Sequence, residues 1–553
     1  VSSTPTPALV ARDAVQRLPR LALMLFCAAY VLPGLFGRDP WRGADLNAFG
    51  QMLALAEGRA PWLSPALGGV PTDAALLPHW IGALGIVVGS PWLDATVAAR
   101  LPFALLLALT LAAVWYATFH LARGDAAQPL PFAFGGEADT VDYARAIADG
   151  ALLAVIATLG LLQLGHETTP ELAQLAAVAS LQWALAAAPH RARGARLGVM
   201  LALPALAGSG APAMALAMGL GALAVTWRDR DVAARSLAPW LAGAMLLAAL
   251  VAWPVHSWAW RLAPQAIDPR QLGKLWLWFL WPAWALAGWT LWRWRGHLGH
   301  RHLAVPLVSV AVALGSSIGM GGSDRALMLG LPGIAVLAAF ALPTLRRSAA
   351  AAIDWFSVFF FSACGLAIWV IYLSLQTGLP AKPAANVARL APGFESPFSV
   401  PELLFGALGT LAWLWLVRWR TSRHRAALWK SLVLPAGGVA LCWLLLMTLW
   451  LPLLDYARSY RPLIDRVARA LPPGACVAAP EASPSLVAAL EFHARRRVDA
   501  SIGAAHGPCD WMVLVSRGTS KPLPPQGWQE VAAERRPTER NELTLVYRRI
   551  AVR

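Results

Sequence analysis

Charge is what this chain lacks most. Asp, Glu, Lys and Arg make up 14% of its 553 residues, where a soluble chain carries roughly 25%. That shortfall excludes an ordinary cytosolic enzyme. The 58% hydrophobic content and 28 Trp exclude disorder just as firmly. No P-loop, G-x-G-x-x-G or H-E-x-x-H occurs, so neither a nucleotide-driven pump nor a zincin finds its motif here. No internal repeat stands out, which counts against an inverted-repeat transporter. Residues 21–36 carry no small-residue cleavage site and are followed by more apolar runs, so no cleavable signal peptide is expected. Cysteines are few: Cys27, Cys364 and Cys442 sit in apolar runs as small hydrophobes, leaving Cys476 and Cys509 in a polar tail.

What the chain does have is a series of apolar runs of about 20 residues, each able to cross a bilayer core as a helix. About thirteen spans are predicted, near 20–36, 95–121, 148–164, 170–188, 197–208, 212–226, 237–256, 275–292, 303–318, 326–343, 355–375, 402–417 and 431–452. Segment 74–92 reads as interfacial rather than spanning. The expected fold is therefore a polytopic α-helical membrane protein, residues 1–455, followed by a small soluble α/β domain, residues 456–553.

The net charge of +16 does not point to nucleic acid, because the basic residues sit mainly in short loops between apolar runs. On one side of the alternating spans lie 21 Lys and Arg, including Arg191, Arg193, Arg228, Arg295, Arg420, Arg423 and Arg425. The opposite side carries 10 before the tail, and the tail the remaining 15. The richer side is expected to be cytoplasmic, which puts loop 37–92 and the tail on the periplasmic face.

Three polar clusters fall on that second face. The loop 37–73 begins Gly-Arg-Asp-Pro-Trp-Arg-Gly-Ala-Asp and holds Asp39, Asp45, Glu57 and Asp73. Asp45 opens a helical stretch, where a carboxylate either caps free N–H groups or, beside a cavity, takes a proton from an acceptor hydroxyl. The second cluster is His166-Glu167-Thr168-Thr169-Pro170-Glu171 at the junction of two spans. It reads as a solvated loop, as ionisable groups lining water, or more weakly as a zinc site, lacking a second His at a fixed helical offset. The third cluster is basic: Arg261, Arg270, Lys274 and Arg325, fit to hold a lipid-linked phosphate or simply to snorkel to headgroups. The Trp-rich run 276–294 reads as an interfacial girdle.

The run Gly37-Arg38-Asp39-Pro40-Trp41-Arg42-Gly43-Ala44-Asp45 resembles the first periplasmic loop of GT-C membrane glycosyltransferases, nearest the lipid A aminoarabinose transferase and protein O-mannosyltransferase-like families. The likeness continues through Gly58, Trp62-Leu63-Ser64-Pro65, Gly69, Trp80, His166–Glu171, Arg325–Pro332 and the soluble tail. It implies a polyprenyl-phosphate-linked sugar as donor, no required metal or other cofactor, and a membrane lipid, glycan or protein as acceptor at the outer face of a bacterial inner membrane. Residue by residue it implies Asp45, with Glu167, as the catalytic acids. Asp39 is the fallback for Asp45, and Arg42, His166, Glu171, Arg270 and Arg325 are the expected substrate contacts. Two departures stand out. Asp73-Ala74-Ala75-Leu76-Leu77 replaces a Glu-Lys-Pro-Pro-Leu-like stretch, and Gly208-Ser209-Gly210 replaces a Lys-Gly element. Both remove cations expected at the donor phosphate, so the alternative of a non-catalytic binder or translocator of lipid-linked saccharide stands beside the enzyme.

In the tail, helices are expected over 456–471 and 484–496, and strands over 475–479, 510–516 and 543–548. Cys476 starts one strand and Cys509 precedes another. Starts of neighbouring parallel strands lie about 5 Å apart, so an oxidising compartment would join the two as a disulfide.

Overall fold

The computed structural model describes residues 8–71, 75–132, 134–253, 268–421, 427–518 and 524–550. Asp73, Ala74, Arg261, Arg423 and Arg425 lie outside them.

A helix forms at each of the thirteen places where the apolar runs predicted one. The expectation that all are full spans needs correcting. Five described helices are long and apolar enough to cross a bilayer: Ala95–Ala122, Val232–Ala252, Arg301–Gly319, Arg347–Thr377 and Val400–Thr421. A sixth joins Lys430–Leu446 to Leu451–Arg458 through a 71° bend. The others fall short for two physical reasons. Some break: 275–292 divides into Pro269–Phe279 and Ala283–Arg293 around Leu280–Pro282, and 326–343 divides at Leu329-Gly330. Others are 12–18 residues long, covering about 18–27 Å of a roughly 30 Å core. Thr140–Ala157 and Pro170–Ala187 are central and buried along most of their length, so they need not be lipid-apolar on every side.

Segment 74–92 contains one helix, Leu76–Gly89. It packs against the loop helix Ala44–Ala56 and the start of Ala95–Ala122. Small faces make this possible. An added Cβ at Gly82 would collide with the Met52 side chain, and one at Gly85 with the Ala98 carbonyl.

The loop helix Ala44–Ala56 is the mechanical link between bundle and tail. Gly43 precedes it at φ 93°, a left-handed conformation that lets the chain reverse after Trp41. A hairpin follows, β1 (Ala66–Leu67) and β2 (Val70–Pro71).

The tail holds helices Arg461–Ala470 and Pro484–Phe492 over a five-stranded sheet. Its strands are β3 (Cys476–Ala478), β4 (Arg497–Asp499), β5 (Trp511–Arg517), β6 (Trp528–Glu534) and β7 (Glu542–Arg549), in the order β4-β3-β5-β7-β6. The first three are mutually parallel, while β7 runs antiparallel to both β5 and β6. Cys476 and Cys509 lie at adjacent parallel strand starts, 5.0 Å apart at Cα, and are joined as a disulfide. Tail and loop helix meet where Gly50 abuts Ala488, with Phe49 edge-on to Phe492 at 4.9 Å.

Candidate active site

The first loop folds around one buried carboxylate. Asp45 Oδ2 accepts from Arg38 Nη1 (3.0 Å) and from the Trp41 amide (3.0 Å). Oδ1 accepts from the Thr168 amide (2.8 Å) and hydroxyl (2.7 Å). These bonds explain the local sequence. Asp45 closes the turn that Gly43 permits, and the same carboxylate ties the first loop to the junction 165–169 across 123 residues of chain. Burial alone would raise the Asp45 pKa, but the Arg38 and Arg100 charges and the two Thr168 bonds outweigh it and hold the carboxyl below its usual range. The sequence leaves Asp45 as either a cap of free N–H groups or a base beside a cavity. In the structure its two oxygens accept four hydrogen bonds, two each.

Arg38 completes this centre. Its Nε donates to Gly34 O (3.0 Å) and its Nη2 to His166 O (2.6 Å), and its guanidinium lies over the Trp41 ring at 4.7 Å. Arg458 covers the same ring at 4.8 Å, so Trp41 sits among two cations. Arg100, from the first turns of Ala95–Ala122, donates to Arg38 O (2.8 Å).

Glu167 lies one residue away and is differently placed. Its Oε1 accepts from Gln163 Nε2 (2.8 Å) and its Oε2 from Arg325 Nη2 (2.6 Å). Burial, then the Asp45 charge, lifts its pKa above the usual carboxylate range, against the pull of Arg325 and Gln163. The other Arg325 nitrogen makes longer contacts, 3.3 Å to both Glu171 and Thr169 Oγ1. Arg325 and Glu171 are each about a quarter exposed, whereas the Glu167 side chain is 6% exposed. Arg458 reaches Gln163 Oε1 (2.6 Å), which closes a chain of contacts from Trp41 to Arg325.

The remaining predicted contacts separate into distinct roles. Asp39 binds the tail: Arg461 donates to it through Nε (2.7 Å) and Nη2, and Ser459 Oγ at 2.9 Å. Arg42 also turns to the tail, 3.4 Å from Glu539. His166 is a bracket, with ring nitrogens 2.7 Å from the carbonyls of Leu162 and Tyr30 and its ring against Trp443. Burial drives its pKa down to about 4, so the ring is neutral at pH 7 and donates to only one of those carbonyls. Arg270 is exposed near the start of Pro269–Phe279, and its backbone amide donates to Asp268. The structure thus gathers Asp45, Glu167, Glu171 and Arg325, and sets Asp39, Arg42 and Arg270 outside that cluster. Among the described residues no group of three or more His, Cys, Asp or Glu is arranged to hold a metal ion.

The two stretches that depart from the resembled family meet in space. A Cβ on Gly210 would lie 3.2 Å from Ala75 Cβ, and one on Gly208 would lie 3.6 Å from Leu77 Cβ. The described parts of the two stretches, Ala75–Leu77 and Gly208–Gly210, meet through small and apolar groups, while Ala74, which stands at the place of the expected Lys, lies outside the described residues.

No protein-family model and no curated protein matches this sequence. The solved structures do. ArnT from Cupriavidus metallidurans bound to undecaprenyl phosphate superposes at TM-score 0.63, with 13% identity over 95% of this chain and 96% of that one. Its apo state gives 0.62, with 14% identity over the same shares. The chain has an ArnT-like fold. The likeness runs through bundle and tail together, since it spans nearly all of both chains. Arabinosyltransferase EmbB from Mycobacterium smegmatis matches more loosely, at TM-score 0.41 and 15% identity over 92% of this chain and 46% of that one.

In this ArnT-like fold, Arg100, Thr168, Arg458 and Arg461 are partners that no local sequence pattern marks. In the sequence Arg100 and Arg458 register only as charges. Thr168 had been named only as part of its cluster, although a Thr beside two acids is a ready donor to a third.

Proposed function

We propose that this protein is a membrane glycosyltransferase that moves a sugar from a polyprenyl-phosphate donor to a lipid, glycan or protein acceptor at the periplasmic face of a bacterial inner membrane. The observation that carries the reading is the Glu167–Arg325 pair. A carboxylate with a raised pKa sits 2.6 Å from a guanidinium whose other contacts are long and partly solvated. Similarity to a fold solved with undecaprenyl phosphate supports a lipid-linked donor. The 21-to-10 distribution of cations supports the orientation.

The geometry favours a division of labour between the acids. Glu167 takes the acceptor hydroxyl proton, because its shifted pKa suits a general base better than the depressed Asp45. The acceptor oxygen attacks the anomeric carbon, the bond from that carbon to the phosphate oxygen breaks, and the electron pair leaves with the polyprenyl phosphate. Arg325 exchanges its 3.3 Å contact with Glu171 for that phosphate and stabilises the charge. A single displacement inverts the sugar. Asp45, as a positioning residue, holds Thr168 and thereby Glu167. The scheme asks no residue to hold a metal.

The test is turnover by the full chain in liposomes with polyprenyl-phosphate sugars and membrane lipid, read as loss of sugar from the donor. Transfer that disappears in Glu167→Gln supports the enzyme. Binding of donor without any transfer, across several sugars, points to the binder instead. Mass spectrometry of lipid that copurifies would name the donor class.

A further inference from the structure

The end of the loop helix far from Asp45 borders a second concave site. Thirteen residues of helix place it about 18 Å away from that carboxylate. The groove has a volume of ≈ 860 Å³, between the helix end at Glu57 and Arg59, the hairpin β1–β2, the start of Ala95–Ala122 and tail residues 491–498.

Its charges do not balance locally. Arg59 pairs with Glu57 (2.6 Å) and with Glu491, which occupies those three groups with one another. Asp94 is engaged as a helix cap, its Oδ1 accepting from the Thr96 amide (2.8 Å) and hydroxyl (2.6 Å). That leaves three consecutive arginines. Arg496 donates to the carbonyls of Ala494 (2.8 Å) and Leu471 (3.2 Å), while its Nε is buried without a partner. Arg495 and Arg497 are exposed and form no ion pair with any described carboxylate.

Exposed apolar side chains lie next in sequence to the residues that line the groove. Leu63, three residues before Ala66, is 80% exposed, and Trp92, two residues before Asp94, is 81% exposed. Ala95–Ala122, which follows Asp94, is long and apolar enough to cross a bilayer. Trp and Leu in that position anchor at headgroup depth. A concave, net-positive site at that depth matches a phosphate bonded to a lipid, since guanidinium forks pair with phosphate oxygens and basic residues near a membrane surface gain from anionic lipids.

We propose that this groove binds the phosphate headgroup of an anionic membrane lipid, with Arg495 and Arg497 as its charge partners. The site is separate from the transfer centre and does not depend on the reaction proposed there. Occupancy would seat the tail against the membrane through the same segment that packs on the loop helix.

The full chain in nanodiscs of equal phosphatidylglycerol and phosphatidylcholine tests this, with retained lipid counted by native mass spectrometry. Phosphatidylglycerol should be enriched on the parent protein, and R495Q/R497Q should lose about fivefold of that retention for each charge removed. R495K/R497K, which keeps the charge but not the fork, should keep part of it. If the double variant does not fold, the single variants R495Q and R497Q carry the same expectation. Equal retention by the parent and the Gln variants overturns the proposal. Displacement of the lipid by millimolar inorganic phosphate also overturns it, because the ligand would then be free phosphate.

Discussion

Thr168 gives both of its donors to a single oxygen of Asp45, the amide at 2.8 Å and the hydroxyl at 2.7 Å. The pairing makes the second loop follow the first, and the neighbouring Glu167 is placed by it. Thr168→Val removes one bond and keeps the shape and the amide. A hydrogen bond to a buried charge contributes about 1.5–3 kcal/mol, so we expect a clear drop in apparent Tm in detergent together with slower transfer. Asp45→Asn should do more, about 3–5 kcal/mol, because it leaves Arg38 buried without its anion. A D45N protein as stable as the parent would show that Asp45 is not the structural anchor described here.

Glu167 should behave in the opposite way. Glu167→Gln removes the proposed base and should cut transfer by about 10²–10⁴. Its amide nitrogen can no longer accept from one of Gln163 and Arg325, and because Arg325 is a quarter exposed and keeps Glu171, the drop in Tm should be smaller than that of D45N. The activity of the parent should also fall on acidification above the ordinary Glu range of about 4.3, since the base must be ionised and its pKa is raised. Stability should not fall with it. A carboxyl raised in the folded state binds protons more tightly there, so protonation at Glu167 favours the fold as pH drops through that pKa. Parallel loss of activity and Tm would mean unfolding, not titration of a base.

Much of the helical plan was legible in the sequence because apolar runs announce themselves locally. Which of those helices are whole spans was not, since Pro282 and Gly330 break two runs that hydropathy alone reads as continuous. The site was half legible. Arg38, Trp41, Gly43 and Asp45 fall within nine residues, and their spacing points to a folded turn. Their partners Arg100 and Thr168 lie 62 and 123 positions away from Arg38 and Asp45, and Arg461 lies 422 from neighbouring Asp39, and no local pattern selects them. In the tail, β4 has three residues and begins with Arg497, so no apolar alternation marks it. Its existence follows from the parallel register with β3.

The Asp39–Arg461 pair supplies a pH-dependent latch between loop and tail. Burial raises the Asp39 pKa, but the Arg461 bonds, His493 and Ser459 outweigh it and lower the net value. Its folded-state pKa is therefore depressed, so its contribution is fully present above the unfolded value of about 3.9 and is lost as pH falls through the lower folded pKa. Tail docking should accordingly survive to pH 4 and loosen below it, read as protease access to the 479–483 connection. Asp39→Asn should loosen it at neutral pH.

Removing the disulfide tests the tail alone. The bridge closes a loop across a separation of 33 residues, and chain entropy then assigns it about 3–4 kcal/mol. Cys476→Ser with Cys509→Ser should lower the unfolding transition of the tail while the apolar bundle still extracts as a monodisperse protein. Recovery of both cysteines as alkylatable thiols from the native protein would show that the bond does not form in the cell, and would weaken the periplasmic assignment of the tail.

Gly50 offers the sharpest test of how tail and site are coupled. It lies in the interior of the loop helix, where Gly costs roughly 0.5–1 kcal/mol relative to Ala, and what it provides in return is approach. A Cβ there would sit 2.5 Å from Ala488 Cβ and 3.3 Å from Ala488 Cα, and the latter is backbone that cannot rotate away. Gly50→Leu must therefore push helix Pro484–Phe492 outward, separating Phe49 from Phe492 and straining the Ser485 bond to Gly43 O (2.8 Å). Gly43 is two residues from Asp45, so the displacement is transmitted to the turn that holds Arg38 and Thr168. We expect G50L to expose the tail to protease and to reduce transfer, although position 50 lies outside the Asp45–Glu167–Arg325 cluster. Ala488→Gly, by removing the opposing methyl, should restore part of both in the G50A background but not in G50L, whose side chain exceeds the space one methyl leaves. Full transfer by G50L with a loosened tail would show that the centre works without the tail seated on it.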